Sequence, residues 1–211
     1  MQNLLNKVDH LVLAVPDLEL GINYIKETLG VQAKIGGQHR GKGTWNALIA
    51  LGPGSYLEII APDPEQPIPA TGRWMGVDHV KAPKLVHWAA KVHPIERYLN
   101  LAKEHKLQLG TVSSGSRTKM NGEVLSWMLT EPLSALNDCV TPFLIDWEDS
   151  DHPANNLPQE CELVEYSAFH PDPISTKVKL SLLDIEMPIQ LGPQPRLQAK
   201  IQCPKGLIIL S

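Results

Sequence analysis

The stretch GGQHRGKGTWN, residues 36–46, is the first place where residue types and spacing suggest chemistry. Gly36, four residues and then Gly41-Lys42 come close to a loop whose backbone N–H groups cradle phosphates. Gly43, however, stands where Ser or Thr would hold magnesium. Two other residues are out of place on chemical grounds. His10 interrupts the apolar run VDHLVLAV, and Glu58 sits inside SYLEIIA. A charge in such a run is rarely buried without a partner. His10 reads either as a satisfied core histidine or as a site residue. Pairing of His10 with Glu58 would satisfy both.

The surrounding elements decide the first question. Residues 8–15 read as a buried strand. A helix follows, with Leu18, Ile22, Ile25 and Leu29 at helical spacing, Asp17 as N-cap and Gly30 as the C-terminal glycine. The glycine stretch thus leaves a helix and a short strand, and it enters another strand, WNALIALG (45–52). A phosphate loop instead leaves a strand and opens a helix, so no nucleotide site is expected. SYLEIIA (55–61) is the next strand, after the turn at Gly52-Pro53-Gly54. Residues 62–84, rich in Pro and Gly, read as a long connection.

The pattern then returns. KLVHWAAKV (84–92) is a strand and His93-Pro94 starts a helix. LQLGTV (107–112) follows as a strand, then a Gly/Ser stretch containing Arg117, then strands GEVLSWMLT (122–130) and TPFLIDW (141–147). A fainter third copy runs from CELVEYSAF (161–169) through a helix at 172–185 to three short strands. Repetition of a strand-helix-strand-strand-strand unit is the main organisational feature of the chain.

Composition narrows the function classes. The chain has 211 residues, 43% of them hydrophobic, with a net charge of -4 and a pI near 6.0. It lacks the basic face that nucleic acid requires. Cys139, Cys161 and Cys203 are odd in number and form no CxxC pair, so they read as reduced thiols of a cytoplasmic protein. The N-terminal apolar run is too short and too polar for a secretory signal, and no run reaches the length of a membrane span.

The motifs DHLVLAVPDL, GGQHRGKGTWNALIALG and YLEIIAPDP, with HWAAKV, SRTKMNGEVLSW and PFLIDW in the second copy, resemble the vicinal oxygen chelate superfamily and its glyoxalase-like branch. The resemblance implies an α+β protein of repeated βαβββ units around a curved-sheet cleft. Residues 1–150 would form the paired domain, from units 5–62 and 84–149. Residues 158–211 would form an extension resembling a third unit. Because both units lie in one chain, a monomer could build a complete cleft, and a homodimer is equally open.

Metal-using members of the superfamily take one ligand from the first and one from the fourth strand of each unit. Carried over, these positions are His10, Glu58, His87 and Asp146, a set suited to Zn, Ni, Fe or Mn. Strand alternation is expected to turn all four into the cleft, with the bulkier apolar residues beneath the helices. Glu58 would move a proton. His39, Thr44, Asn46 and Arg117 would contact the substrate. The function implied is a glyoxalase-like enzyme, with or without a metal, performing isomerase or lyase chemistry on a small oxygenated metabolite. The alternative is a metal-free protein that binds or sequesters a small molecule in the same cleft.

Overall fold

The computed structural model describes residues 2–118, 124–133 and 138–211. A short helix, α1 (Gln2–Lys7), leads into β1 (Val8–Ala14), α2 (Leu18–Leu29), β2 (Lys34–His39), β3 (Thr44–Ala50) and β4 (Tyr56–Pro62). The second set comprises β5 (Lys84–Lys91), α3 (Ile95–Glu104), β6 (Val112–Thr118), β7 (Val124–Thr130) and β8 (Phe143–Asp146). The tail contains β9 (Glu162–His170), α4 (Pro173–Ser181), β10 (Ile189–Leu191), β11 (Arg196–Cys203) and β12 (Gly206–Leu210).

The caps read from the sequence form as expected. Asp17 accepts from the Leu20 N–H at 2.9 Å, and Gly30 adopts φ 82°, a left-handed conformation that ends α2. One strand differs. LQLGTV is not the first extended segment after α3; β6 begins at Val112 and is the Gly/Ser stretch itself. Its pairing with β7 overrides its weak strand propensity.

Both halves share one eight-stranded sheet, ordered β2-β3-β4-β1-β5-β8-β7-β6. β1 and β5 meet antiparallel at its centre, while β1–β4 and β5–β8 pair in parallel. Equivalent backbone bonds mark the internal repeat: Val15 N to Ile60 O at 2.9 Å and Val92 N to Ile145 O at 3.0 Å. The registers agree, with Val12 opposite Glu58 and Ala89 opposite Phe143.

One face of the sheet packs its larger side chains, among them Leu11, Leu13, Leu57, Ile59 and Trp88, beneath α2 and the C-terminal segment. On the other face Val12, Ala14, Ile60 and Ala89 are covered at one end by Met75 and Val77 of the connection between the halves. Leu48 and Tyr56 are covered at the other end by Ala154 and Trp147. The cleft lies between these two plugs.

Close helix packing fixes the geometry. A Cβ at Gly21 of α2 would lie 2.7 Å from a Val15 methyl and 2.9 Å from an Ile59 methyl. Gly21→Ala is therefore expected to destabilise the fold by about 1–3 kcal/mol through overpacking, measurable as a lower midpoint in urea with an unchanged m-value.

The tail repeats the order of elements but not the order of strands. Its four-stranded sheet runs β10-β9-β11-β12, with β9 inside rather than at the end of the ladder. Instead of a third cleft, it makes a backing layer. Tyr166 packs edge-on against Trp88 at 5.4 Å, within the core shared with the main sheet. No helix among the described residues is long and apolar enough to cross a membrane.

Candidate functional site

A cleft of about 710 Å³ opens on the concave face of the eight-stranded sheet. Its floor begins in β1, where the register against β5 slips between Val8 and His10. The fully buried Asp9 carboxylate reaches three neighbours: His10 Nδ1 at 2.8 Å, Trp147 Nε1 at 2.9 Å and His152 Nε2 at 3.1 Å. His152 Nδ1 accepts from the Ala154 N–H at 3.2 Å, so its Nε2 is the donor to Asp9. Burial opposes ionisation of Asp9, but the hydrogen bonds from His10 and His152 outweigh it. The carboxyl is held well below the usual carboxylate range.

This arrangement assigns the His10 tautomer. Nδ1–H donates to Asp9, so neutral His10 presents a lone pair on Nε2. That nitrogen faces Glu58 Oε2 at 3.8 Å. Tyr56 stacks on the His10 ring at 4.6 Å, which fixes its plane. Glu58 is held from the other side: Asn46 Nδ2 donates to its Oε1 at 2.6 Å, and His39 Nε2 lies 3.5 Å from the same oxygen. His39 in turn meets Thr44 Oγ1 at 2.9 Å through Nδ1. His10, Glu58, His39, Thr44 and Asn46, named from the sequence, therefore form one connected network.

The second half of the cleft is different. Leu144 and Asp146 face the α3 side of β8, whereas Phe143, Ile145 and the following Trp147 face the cleft. This reverses the orientation expected for Asp146. Its carboxylate accepts from the Ile95 N–H at 3.0 Å and the Glu148 N–H at 2.9 Å, and it pairs with His93 Nδ1 at 3.0 Å. The Asp146 bond raises the pKa of the exposed His93 ring. By backbone register the counterpart of Glu58 is Phe143, not Asp146. Asp146→Ala is expected to cost about 1–3 kcal/mol from the unpaired Ile95 and Glu148 N–H groups, seen as a lower thermal midpoint, with ligand affinity of the cleft unchanged.

His87 does face the same side as His10 but is fully buried. Its Nε2 lies 3.2 Å from the Leu133 carbonyl, and its Nδ1 has no hydrogen-bond partner among the described residues. Burial lowers its pKa, so the ring is neutral at neutral pH. The backbone of Arg117 lies in β6 opposite Leu125, while its side chain lies outside the described residues.

Sequence reasoning missed the residues that hold this site. Asp9 carried a signal, since it adjoins His10 in an otherwise apolar strand. Glu131 carried none. It accepts from Lys42 Nζ and Ser113 Oγ, each at 2.7 Å, and from Trp74 Nε1 at 3.1 Å. These bonds tie the β2–β3 turn to the far wall of the cleft. Burial works against Glu131 ionising, but its bonds to Lys42 and Ser113 prevail and keep its pKa lowered.

Residues 8–183 match the family described as "Glyoxalase-like domain". The chain belongs to this family. A solved structure described as a hypothetical protein from Staphylococcus aureus aligns with a TM-score of 0.66 at 15% identity, covering 90% of this chain and 88% of that one. Its likeness shows a shared fold over most of the chain. A Streptomyces coelicolor methylmalonyl-CoA epimerase in complex with 2-nitronate-propionyl-CoA aligns at TM-score 0.47 and 17% identity, over 71% of this chain and 99% of that one. Methylmalonyl-CoA epimerase from Mycobacterium tuberculosis aligns at TM-score 0.40 and 18% identity, over 74% and 95%. Comparison with curated proteins returned no match.

Members of the superfamily often use a divalent metal, so the donors of this glyoxalase-like cleft matter. Phe143 occupies the position of the fourth ligand. His87 Nε2 faces a carbonyl oxygen, an acceptor, so it carries the proton and the lone pair lies on the buried Nδ1. No group of three or more His, Cys, Asp or Glu among the described residues could hold a metal ion. His10 and Glu58 remain as a pair, and the residues present do not fit a four-ligand centre.

Proposed function

We propose that the cleft is the active site of a glyoxalase-like enzyme that shifts a proton on a small oxygenated metabolite, with isomerase or lyase chemistry. One observation carries the reading. The His10 Nε2 lone pair and the Glu58 carboxylate face each other at 3.8 Å at the floor of the cleft, and each is oriented from behind. Two proton acceptors separated by such a gap suit a ligand that brings a proton between them. A C–H next to a carbonyl, or an adjacent hydroxyl, is the chemistry that supplies one.

In this reading Glu58 takes the proton from carbon and returns it to a neighbouring carbon or oxygen. Asn46 keeps Oε1 occupied, so Oε2 is the oxygen that reacts. Asp9 holds His10 so that Nε2, with its lone pair, accepts from a substrate hydroxyl. His39, Thr44 and Asn46 set the position of Glu58. None of these steps requires a metal.

The test uses purified protein in D₂O with a panel of α-hydroxycarbonyl and 1,2-dicarbonyl compounds, followed by proton NMR. Enzyme-dependent deuterium uptake next to the carbonyl is the expected result, unchanged after treatment with a chelator. Thermal stabilisation by members of the panel without any exchange would replace the enzyme with the small-molecule binding protein. Exchange that appears only on adding Zn, Ni, Fe or Mn would restore a metal to the mechanism.

A further inference from the structure

The two halves of the cleft, built on one repeat, differ in character. Where the first half presents Glu58, the second presents Phe143 at the equivalent register. Beside it stand Ile145, Leu129 and Trp127 from β8 and β7, and Trp147 just beyond β8. We infer that the ligand of this cleft is an uncharged aromatic carbonyl compound, with its oxygens on the His10–Glu58 floor and its ring over Trp127 and Phe143. This deepens the proposed function and rests on its placement of the chemistry at Glu58.

Several independent features agree. Trp127 is partly exposed and packs against β6 at Gly115, where a Cβ would come within 2.4 Å of the indole. Glycine at 115 is what allows the indole to lie on the strand and form a wall of the cleft. Trp147 meets it at a ring separation of 5.3 Å and an angle of 53°, so the two indoles form one continuous apolar surface. The Trp147 N–H is already used by Asp9, leaving a ring surface rather than a donor.

Size points the same way. The cleft's 710 Å³ lies in the range of sites for ring-containing ligands. A three-carbon compound seated on Glu58 would leave the part-exposed Trp127 and Trp147 rings facing water. Charge favours a neutral ligand. Glu58 and Glu131 both line the cleft, and among its described cations Lys42 is paired with Glu131 and Arg40 is exposed. A carboxylate on the ligand would meet the like charge of Glu58.

The probe is 2-hydroxyacetophenone, a neutral ring compound with neighbouring oxygens, compared with hydroxyacetone and with the anion phenylglyoxylate. Dissociation constants come from quenching of tryptophan fluorescence, checked by saturation-transfer NMR. Binding of 2-hydroxyacetophenone at least about tenfold tighter than of either comparator is expected. Trp127→Leu should remove that preference, and Trp127→Phe should restore most of it. Circular dichroism reports whether each variant is folded, and the wild-type ranking stands without them. Equal or tighter binding of hydroxyacetone overturns the inference, as does tighter binding of phenylglyoxylate. Loss of proton exchange with the ranking intact would sink the proton-transfer reading and leave the ligand class standing. Exchange on hydroxyacetone with no aromatic preference would do the reverse.

Discussion

Glu58→Gln is expected to lower the rate of enzyme-dependent proton exchange by about a hundredfold to ten-thousandfold, the usual contribution of a positioned acid–base group. The substitution keeps the shape of the side chain. Its amide oxygen can still accept from Asn46 Nδ2, and its amide nitrogen can donate toward the His10 Nε2 lone pair. Folding stability should therefore change by less than about 1 kcal/mol, and affinity for a bound ligand should persist. Deuterium uptake measured beside dissociation constants separates these effects. Exchange at the wild-type rate in a folded Glu58→Gln protein would remove Glu58 from the chemistry.

Asp9→Asn is expected to have the largest effect on stability, a loss of about 3–5 kcal/mol, or a thermal midpoint lower by roughly 10 °C. The carboxylate is fully buried and accepts from His10, Trp147 and His152. An amide offers one oxygen, and its NH₂ group would point at ring N–H donors that have no other partner. Proton exchange should fall as well, because His10 loses the contact that fixes its tautomer.

The pH dependence follows from the direction of the Asp9 shift. Its carboxyl ionises at lower pH in the folded protein than in the unfolded chain, so between the two values the unfolded state binds the extra proton. The stabilisation is complete above about pH 5 and is lost as pH falls below about 4 toward the folded value. Urea unfolding of wild type and Asp9→Asn at neutral pH and near pH 3 should show the gap between them narrowing in acid. A gap independent of pH would show that Asp9 stabilises the fold without its charge.

Much of this was legible along the chain. Apolar spacing, Asp17, Gly30 and the turn glycines defined α2 and the strands around it, and the repeated order of elements pointed to the family that the comparisons show. Parity worked in β1 and β4, where Leu11, Leu13, Leu57 and Ile59 form a bulkier set opposite His10 and Glu58. In β8 it failed. Phe143 and Ile145 are as apolar as Leu144, and a strand buried on both faces carries no amphipathic signal. The ends of that strand, and the helix N-terminus needing an acceptor at Ile95, decided where Asp146 points. β6 was hidden for another reason: between Val112 and Thr118 the segment SSGSR holds no strand formers, and it is held by its partner rather than by its own preference.

The amino-acid sequence by itself determined the repeat and the faces of β1 and β4 on which His10 and Glu58 lie, because alternation and turn chemistry act over a few residues, while the pairing of the half-sheets was implied by the family resemblance. Tertiary structure alone decided that Asp9 would be shared by His10, Trp147 and His152, that Glu131 would bridge the walls of the cleft, and that the second half would be apolar. Those outcomes depend on register slips and on contacts between residues far apart in the chain, and no local pattern encodes them.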